Sequence, residues 1–209
     1  TPLTVIRGNV ELLRAGVAPT GTDDGEPGPL DEIDAEVGRL TDLVDQLLLL
    51  ARADSDALEL DIAPTDLAAE AADAVESLAP VAAAAEVELA LDVRSAPIVG
   101  DPTRLRQLVA ILVDNALKHV PAGGHVSVSA GPAEAGWTQL VVADDGPGIR
   151  PEDLPHVFDR FWRAADAPTG GSGLGLAIAR WIAEAHEGTI SAGNSPAGGA
   201  RFEVRLPVS

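Results

Sequence analysis

From Leu30 to Ala51 the chain places apolar side chains at alternating steps of three and four: Leu30, Ile33, Val37, Leu40, Val44, Leu47 and Ala51. That repeat averages 3.5 residues, so it keeps one stripe on one side of an α-helix and suits packing against another helix. A strand cannot satisfy it, because strand side chains change face at every residue. The spacing predicts a helix over about 30–54. Leu3, Ile6, Val10 and Leu13 set the same pattern over 1–16, with Pro2 in or near the first turn. The Gly, Pro, Thr and Asp of 17–29 carry no periodicity and read as a loop. Two helices joined by a polar loop make a hairpin that cannot cover both seams alone. The expected solution is a homodimer in which two hairpins form a four-helix bundle; the alternative is a pair of core helices within one monomeric domain.

Beyond residue 54 the pattern changes, giving an α+β chain with two parts, 1–54 and 55–209. The second part reads as an α/β sandwich. Strands are predicted at Leu58–Ile62, Val87–Val93, His125–Ala130 and Trp137–Ala143, the last two joined as a hairpin by the turn signals of 131–136. Helices are predicted from a Thr65 N-cap to about Leu78, from Asp101-Pro102 through Leu117, and over Gly173–His186. Gly188–Ala192 and Arg201–Leu206 form a closing strand pair. Clustered strands and helices, rather than strict alternation, favour a mixed sheet with helices on one face.

Charge limits the partners. The net charge is −19, and there is no cysteine, no methionine and a single lysine, Lys118. A chain this acidic is unsuited to nucleic acid, since little would neutralise phosphates along a groove, and equally to an anionic membrane surface. Disulfides and cysteine–zinc sites are excluded. No apolar run is long enough to span a bilayer, so these residues are expected to be cytoplasmic as given. The acidity is uneven: residues 1–100 hold 21 acidic and 5 basic side chains, whereas 101–209 hold 12 and 9. The second half is the better host for an anionic ligand. The missing methionine points to a trimmed chain or to removal of the initiator.

Four clusters in that half carry chemistry. Asp114-Asn115-Ala116-Leu117-Lys118-His119 closes a helix. An asparagine oxygen can ligate magnesium, which shares its ligands with phosphates and water, and Lys118 can offer a point charge to a phosphate or serve only as a surface lysine at a helix end. Asp144-Asp145-Gly146-Pro147-Gly148-Ile149 follows a strand. One carboxylate there can accept from an exocyclic amine such as that of adenine, although the same residues make an ordinary turn. Phe158-Asp159-Arg160-Phe161-Trp162-Arg163 gathers three of the six aromatic residues between arginines, as an anchor for a mobile segment or as plain packing. Gly170-Gly171-Ser172-Gly173-Leu174-Gly175-Leu176 opens a helix, where backbone amides favour phosphate. It has neither a Walker pattern nor the dinucleotide spacing, since 171, 173 and 176 read Gly, Gly, Leu.

Taken in order and spacing, Asn115, Asp144, Phe158–Phe161 and Gly173-Leu174-Gly175-Leu176 resemble the four ATP-site boxes of the sensor histidine kinases. These share a superfamily with gyrase B, the heat-shock chaperone ATPases and the mismatch-repair ATPases. The resemblance covers the whole chain and is most specific over 101–206. Thr1-Pro2-Leu3-Thr4 also resembles the tail of the family's phosphoacceptor motif, His-Glu-Leu-Arg-Thr-Pro-Leu-Thr. By the resemblance the acceptor histidine would lie four residues before Thr1, and none of His119, His125, His156 and His186 fits that role.

The resemblance implies Mg2+ and ATP as cofactors. Asn115 would ligate the magnesium and Asp144 would recognise the adenine amine. Gly146 and Gly148 would shape the pocket, and Gly171, Gly173, Leu174 and Gly175 would form the hinge beside the phosphates. Lys118, Arg160 and Arg163 would be the phosphate cations, Thr1 would serve in dephosphorylating the partner, and 150–172 would be a lid. It further implies a response-regulator receiver domain as partner, with membrane attachment only through an upstream sensor region. One position departs from the family: Ile111 stands where asparagine is usual and where related ATPases place a glutamate base. That departure argues against hydrolysis by water and leaves open a non-catalytic nucleotide-binding regulatory module. An anti-sigma serine kinase is the other alternative, disfavoured by the heptad helix.

Overall fold

The computed structural model describes residues 29–55, 59–134, 136–164, 171–195 and 198–208. The expected helix over 1–16, nearly all of the 17–29 loop, and Thr1 lie outside them. The chain divides into two compact units, Thr1–Ser55 and Asp56–Ser209.

In the first unit the heptad stretch is one continuous helix, α1, Pro29–Asp54. Glu36, Leu49 and Leu50 are buried, whereas the seam residues Val37, Val44 and Leu47 stay 48, 51 and 39 % exposed. A seam built for helix packing is therefore open along much of its length in the single chain.

The second unit runs β1 (Ala63–Asp66), α2 (Leu67–Ala84), β2 (Glu88–Val93), β3 (Pro97–Gly100), α3 (Pro102–His119), β4 (His125–Pro132), β5 (Trp137–Asp144), α4 (Gly175–Ala185), β6 (Thr189–Asn194) and β7 (Ala200–Pro207). Its main sheet has the order β2-β4-β5-β7-β6. The β2–β4 pair is parallel and the other pairs are antiparallel, the mixed sheet the sequence predicts. Alternation puts Val126, Val128, Leu140, Val142, Phe202 and Val204 on one buried face, and α2, α3 and α4 pack on the sheet. Leu105, Leu108, Leu112, Ile178 and Ile182 complete that core with no exposed surface. Each large apolar side chain so buried contributes about 1.5–3 kcal/mol.

Local differences from the sequence reading have local causes. The strand expected at Leu58–Ile62 forms later, at Ala63–Asp66, because its partner is β3, a short pair invisible to alternation; Pro64 lies opposite Val99 in it. Thr65 belongs to that strand, so the N-cap of α2 is Asp66. Its carboxylate accepts from Ala68 N and Ala96 N at 3.0 and 2.8 Å and from the Ser95 hydroxyl. Burial opposes ionisation of Asp66, but those bonds outweigh it and hold its pKa below the ordinary value. α2 runs past Leu78 and Pro80 to Ala84, carried by a run of alanine, the best helix former.

His186 caps the end of α4 and ties it to the start of α3. Its Nδ1–H donates to Ile182 O at 2.7 Å, and its Nε2 accepts from Asp101 N at 2.9 Å. A Cβ at Gly100 would meet the ring at 2.7 Å, which is why glycine ends β3. Both ring nitrogens of this histidine are thus engaged in holding the fold. Among the described residues no helix is long and apolar enough to cross a membrane.

Candidate functional site

α3 is the beam on which the site is built. Asp101 opens it by accepting from Arg104 N at 3.1 Å, with Pro102 in the first turn. Ile111, Asn115 and His119 follow one another at steps of four and so share one stripe of the helix. At one end of the stripe a Cβ added at Gly175 would lie 3.4 Å from Ile111 Cγ2, so the first turn of α4 rests on Ile111. At the other end a Cβ at Gly146 would lie 3.0 Å from the His119 carbonyl oxygen, so the loop after β5 rests on the end of α3. Asn115, half-buried, stands midway between the two contacts.

Asp144 ends β5 on the buried face, opposite Val126, and is 7 % exposed. Its Oδ1 accepts from Gly146 N at 2.9 Å and from Ala200 N at 3.0 Å. Oδ2 makes no hydrogen bond among the described residues and is the acceptor left for a ligand. Burial pushes the pKa of Asp144 up; the two backbone donors and His119 pull it down without cancelling the shift, and the neighbouring Asp145 adds to it. Asp145 also pins β4, accepting from His125 N at 2.8 Å.

The glycines of the two loops differ in what they do. Gly148 has φ +75° and lies against Asn194, and Gly173 has φ +70° with the Phe161 Cα only 2.8 Å from where its Cβ would be. Both positions require glycine. Gly173 therefore lies outside the helix predicted to begin there, and α4 starts at Gly175. Gly171 has open space around it. Leu174 is fully buried at the N-cap position and offers no side-chain cap to the first-turn amides of α4.

Lys118 is exposed and pairs with Asp114 one turn earlier, a surface ion pair of the kind that contributes little to stability. Arg160 and Arg163 are exposed on the 150–164 segment. That segment is anchored by Phe158, edge-on to Phe202 at 6.3 Å. Phe161 N–H donates to Gly173 O at 2.8 Å and ties the segment to the start of α4. Phe161 is 61 % exposed with φ +63°, an unusual pairing for an aromatic residue.

Residues 100–209 match the family described as histidine kinase-, DNA gyrase B-, and HSP90-like ATPase, and residues 1–56 match the His Kinase A (phospho-acceptor) domain. The chain belongs to the sensor histidine kinases. The signal transduction histidine-protein kinase BaeS of Escherichia coli is 37 % identical over 212 residues, covering 100 % of this chain and 44 % of BaeS. The Acinetobacter baumannii histidine kinase AdeS aligns over 100 % of this chain and 96 % of the AdeS chain, with TM-score 0.80 and 26 % identity. Full-length ShkA in complex with AMPPNP aligns over 99 % of this chain and 46 % of its own, with TM-score 0.74 and 28 % identity. This chain thus spans less than half the length of BaeS.

Sequence reasoning points to residues on α3, in the loop after β5 and at the start of α4. It missed the β6–β7 hairpin, which touches the Asp144 loop at two places through Asn194 and through Gly199-Ala200. The adjacent glycines Gly198-Gly199 before a strand were the available signal; at φ +97° and +77° both take up backbone that glycine favours.

Proposed function

We propose that this chain is the kinase core of a two-component sensor. It binds Mg-ATP in the second unit and, in the intact protein, passes the γ-phosphoryl to a histidine upstream of Thr1, and from there to an aspartate of a response-regulator receiver domain. The observation that carries the reading is the single stripe Ile111–Asn115–His119 on α3. It carries the first turn of α4 at Ile111, Asn115 in the middle and the loop after Asp144 at His119. Asp144 Oδ2 would accept from the adenine amine. The first-turn amides of α4, with Lys118, Arg160 and Arg163, would meet the phosphates. The AMPPNP complex of the similar ShkA supports the nucleotide reading.

Magnesium fits the donor set. Among the described residues no three His, Asp or Glu side chains gather into a metal site. Asn115 suits an ion held mostly by phosphate oxygens and water, with one protein ligand. Bound there, the ion would neutralise charge on the phosphates. In the transfer the bond from the γ-phosphorus to its bridging oxygen breaks, a phosphorus–nitrogen bond forms, and ADP leaves. The protein's share is positioning and charge. Ile111 supports α4 and presents no base to water, which suits transfer over hydrolysis.

The open seam of α1 supports a homodimer through the hairpin, and by family likeness the intact protein is anchored in the membrane with these units on the cytoplasmic side. Titration calorimetry tests the nucleotide reading. The chain should bind ATP with magnesium, and Asn115→Ala should abolish binding or its magnesium dependence. Unchanged Mg-ATP affinity in that variant defeats the assignment. A chain extended upstream through the acceptor histidine should form acid-labile phosphohistidine.

A further inference from the structure

Asn194, the last residue of β6, makes two hydrogen bonds to the backbone of a single distant residue. Its Oδ1 accepts from Ile149 N at 2.7 Å, and its Nδ2 donates to Ile149 O at 2.8 Å. Only one orientation of the amide satisfies both bonds. A strand-end side chain thus pairs with a loop residue as a neighbouring strand would. Beside it, Gly148 takes φ +75°, and a Cβ there would fall 2.9 Å from Asn194 Oδ1. At the other end of the same loop, Gly199 packs on the backbone of Asp144, and Ala200 N donates to the Asp144 carboxylate. One hairpin therefore grips the loop 144–149 at both ends.

We infer that Asn194 is a positioning residue for the purine base. By fixing Ile149 while Ala200 fixes Asp144, it holds the intervening loop where Asp144 Oδ2 faces the ligand. This deepens the nucleotide reading above and rests on it. The arrangement has a consequence that plain structural support would not. Asn194 is exposed, so removing its side chain opens no cavity in the core and should spare the fold. Its loss should be felt at the base and not at the phosphates, so ATP and ADP should weaken by one common factor.

The test is titration calorimetry of the 209-residue chain with Mg-ATP and Mg-ADP, alongside thermal unfolding without ligand and amide hydrogen exchange at Ile149. Asn194→Ala should weaken both nucleotides about tenfold, the scale of one or two lost hydrogen bonds. The midpoint of unfolding should be unchanged, and the Ile149 amide should exchange faster. Asn194→Asp keeps the bond from Ile149 N–H and loses the one to its carbonyl, so its affinities should fall between those of wild type and Asn194→Ala. Wild-type affinity in Asn194→Ala overturns the inference and leaves the nucleotide reading standing. So does weakening confined to ATP, or weakening accompanied by a matching loss of thermal stability. A wild-type chain that binds neither nucleotide overturns the nucleotide reading and this inference together.

Discussion

Gly199 lies directly against the backbone of Asp144: a Cβ at position 199 would stand 1.8 Å from the Asp144 carbonyl oxygen. The contact is backbone on backbone, so no side-chain rotation relieves it. Gly199 also holds φ +77°, which adds strain for any L side chain. Gly199→Ala should cost on the order of 3 kcal/mol in stability and should displace the Asp144 loop. Thermal unfolding should show the loss, and calorimetry should show ATP binding falling with it. A stable Gly199→Ala chain with intact ATP affinity would contradict the close approach.

Asp144 predicts a different balance. Its pKa in the folded chain is raised, chiefly by burial. The folded state then holds its proton over a pH window in which the unfolded state has already lost it, so stability falls as pH rises from the ordinary value of 3.8 through the folded pKa. Above the folded pKa the cost is fully present. Asp144→Asn keeps an oxygen for Gly146 N and Ala200 N and removes the buried charge. Without ligand it should be at least as stable as wild type at pH 7, and the difference should shrink as pH falls through the folded pKa and be gone below pH ~4. Its amide nitrogen cannot accept from an adenine amine, so ATP affinity should drop roughly 10- to 100-fold. Urea titrations across pH, with calorimetry at pH 7, separate the two effects.

The glycines before α4 should not respond alike. Gly173→Ala forces a side chain into the Phe161 backbone, 2.7 Å away, at φ +70° and should destabilise by about 2 kcal/mol or more. Gly175→Ala meets only Ile111 Cγ2 at 3.4 Å, an ordinary contact inside a helix. Its stability should stay level or rise by up to about 1 kcal/mol, since alanine favours helix over glycine. Denaturant midpoints for the two variants decide the matter. A fall for Gly175→Ala as large as that for Gly173→Ala would contradict the packing of α4 on Ile111.

What could be read in advance follows from how local each signal is. The heptad of α1 and the alternation of β4, β5 and β7 are written in consecutive residues, and burial needs only their period to place them. β3 escaped because four residues beginning with proline carry no period, and its pairing with β1 is a contact across an intervening helix and strand. The N-cap fell on Asp66 instead of Thr65 for the same reason: Ser95 and Ala96, which complete its bonding, lie about thirty residues away. Asn194 was invisible because an asparagine between glycine and serine looks like turn chemistry. Its role appears only once β6 stands beside the loop after β5. By contrast, Asp144 and Gly148 could be singled out because turn chemistry follows directly on the end of β5.

The exposed seam of α1 gives the last prediction. Val37, Val44 and Leu47 keep 48, 51 and 39 % of their surface in the single chain, although they follow the same 3.5-residue repeat as the half-buried Ile33 and Leu40. A stripe this regular and apolar on one helix is suited to a second copy of itself, and each such side chain buried in a dimer would contribute about 1.5–3 kcal/mol. Replacing Val44 and Leu47 together with Glu removes that gain and sets like charges on the seam, which should weaken self-association at least about a thousandfold. Sedimentation equilibrium should report twice the monomer mass for wild type and the monomer mass for Val44→Glu/Leu47→Glu, while Mg-ATP affinity, which belongs to the second unit, should not change. A monomeric wild type, or a double variant that still dimerises, would show that the seam serves packing within one chain.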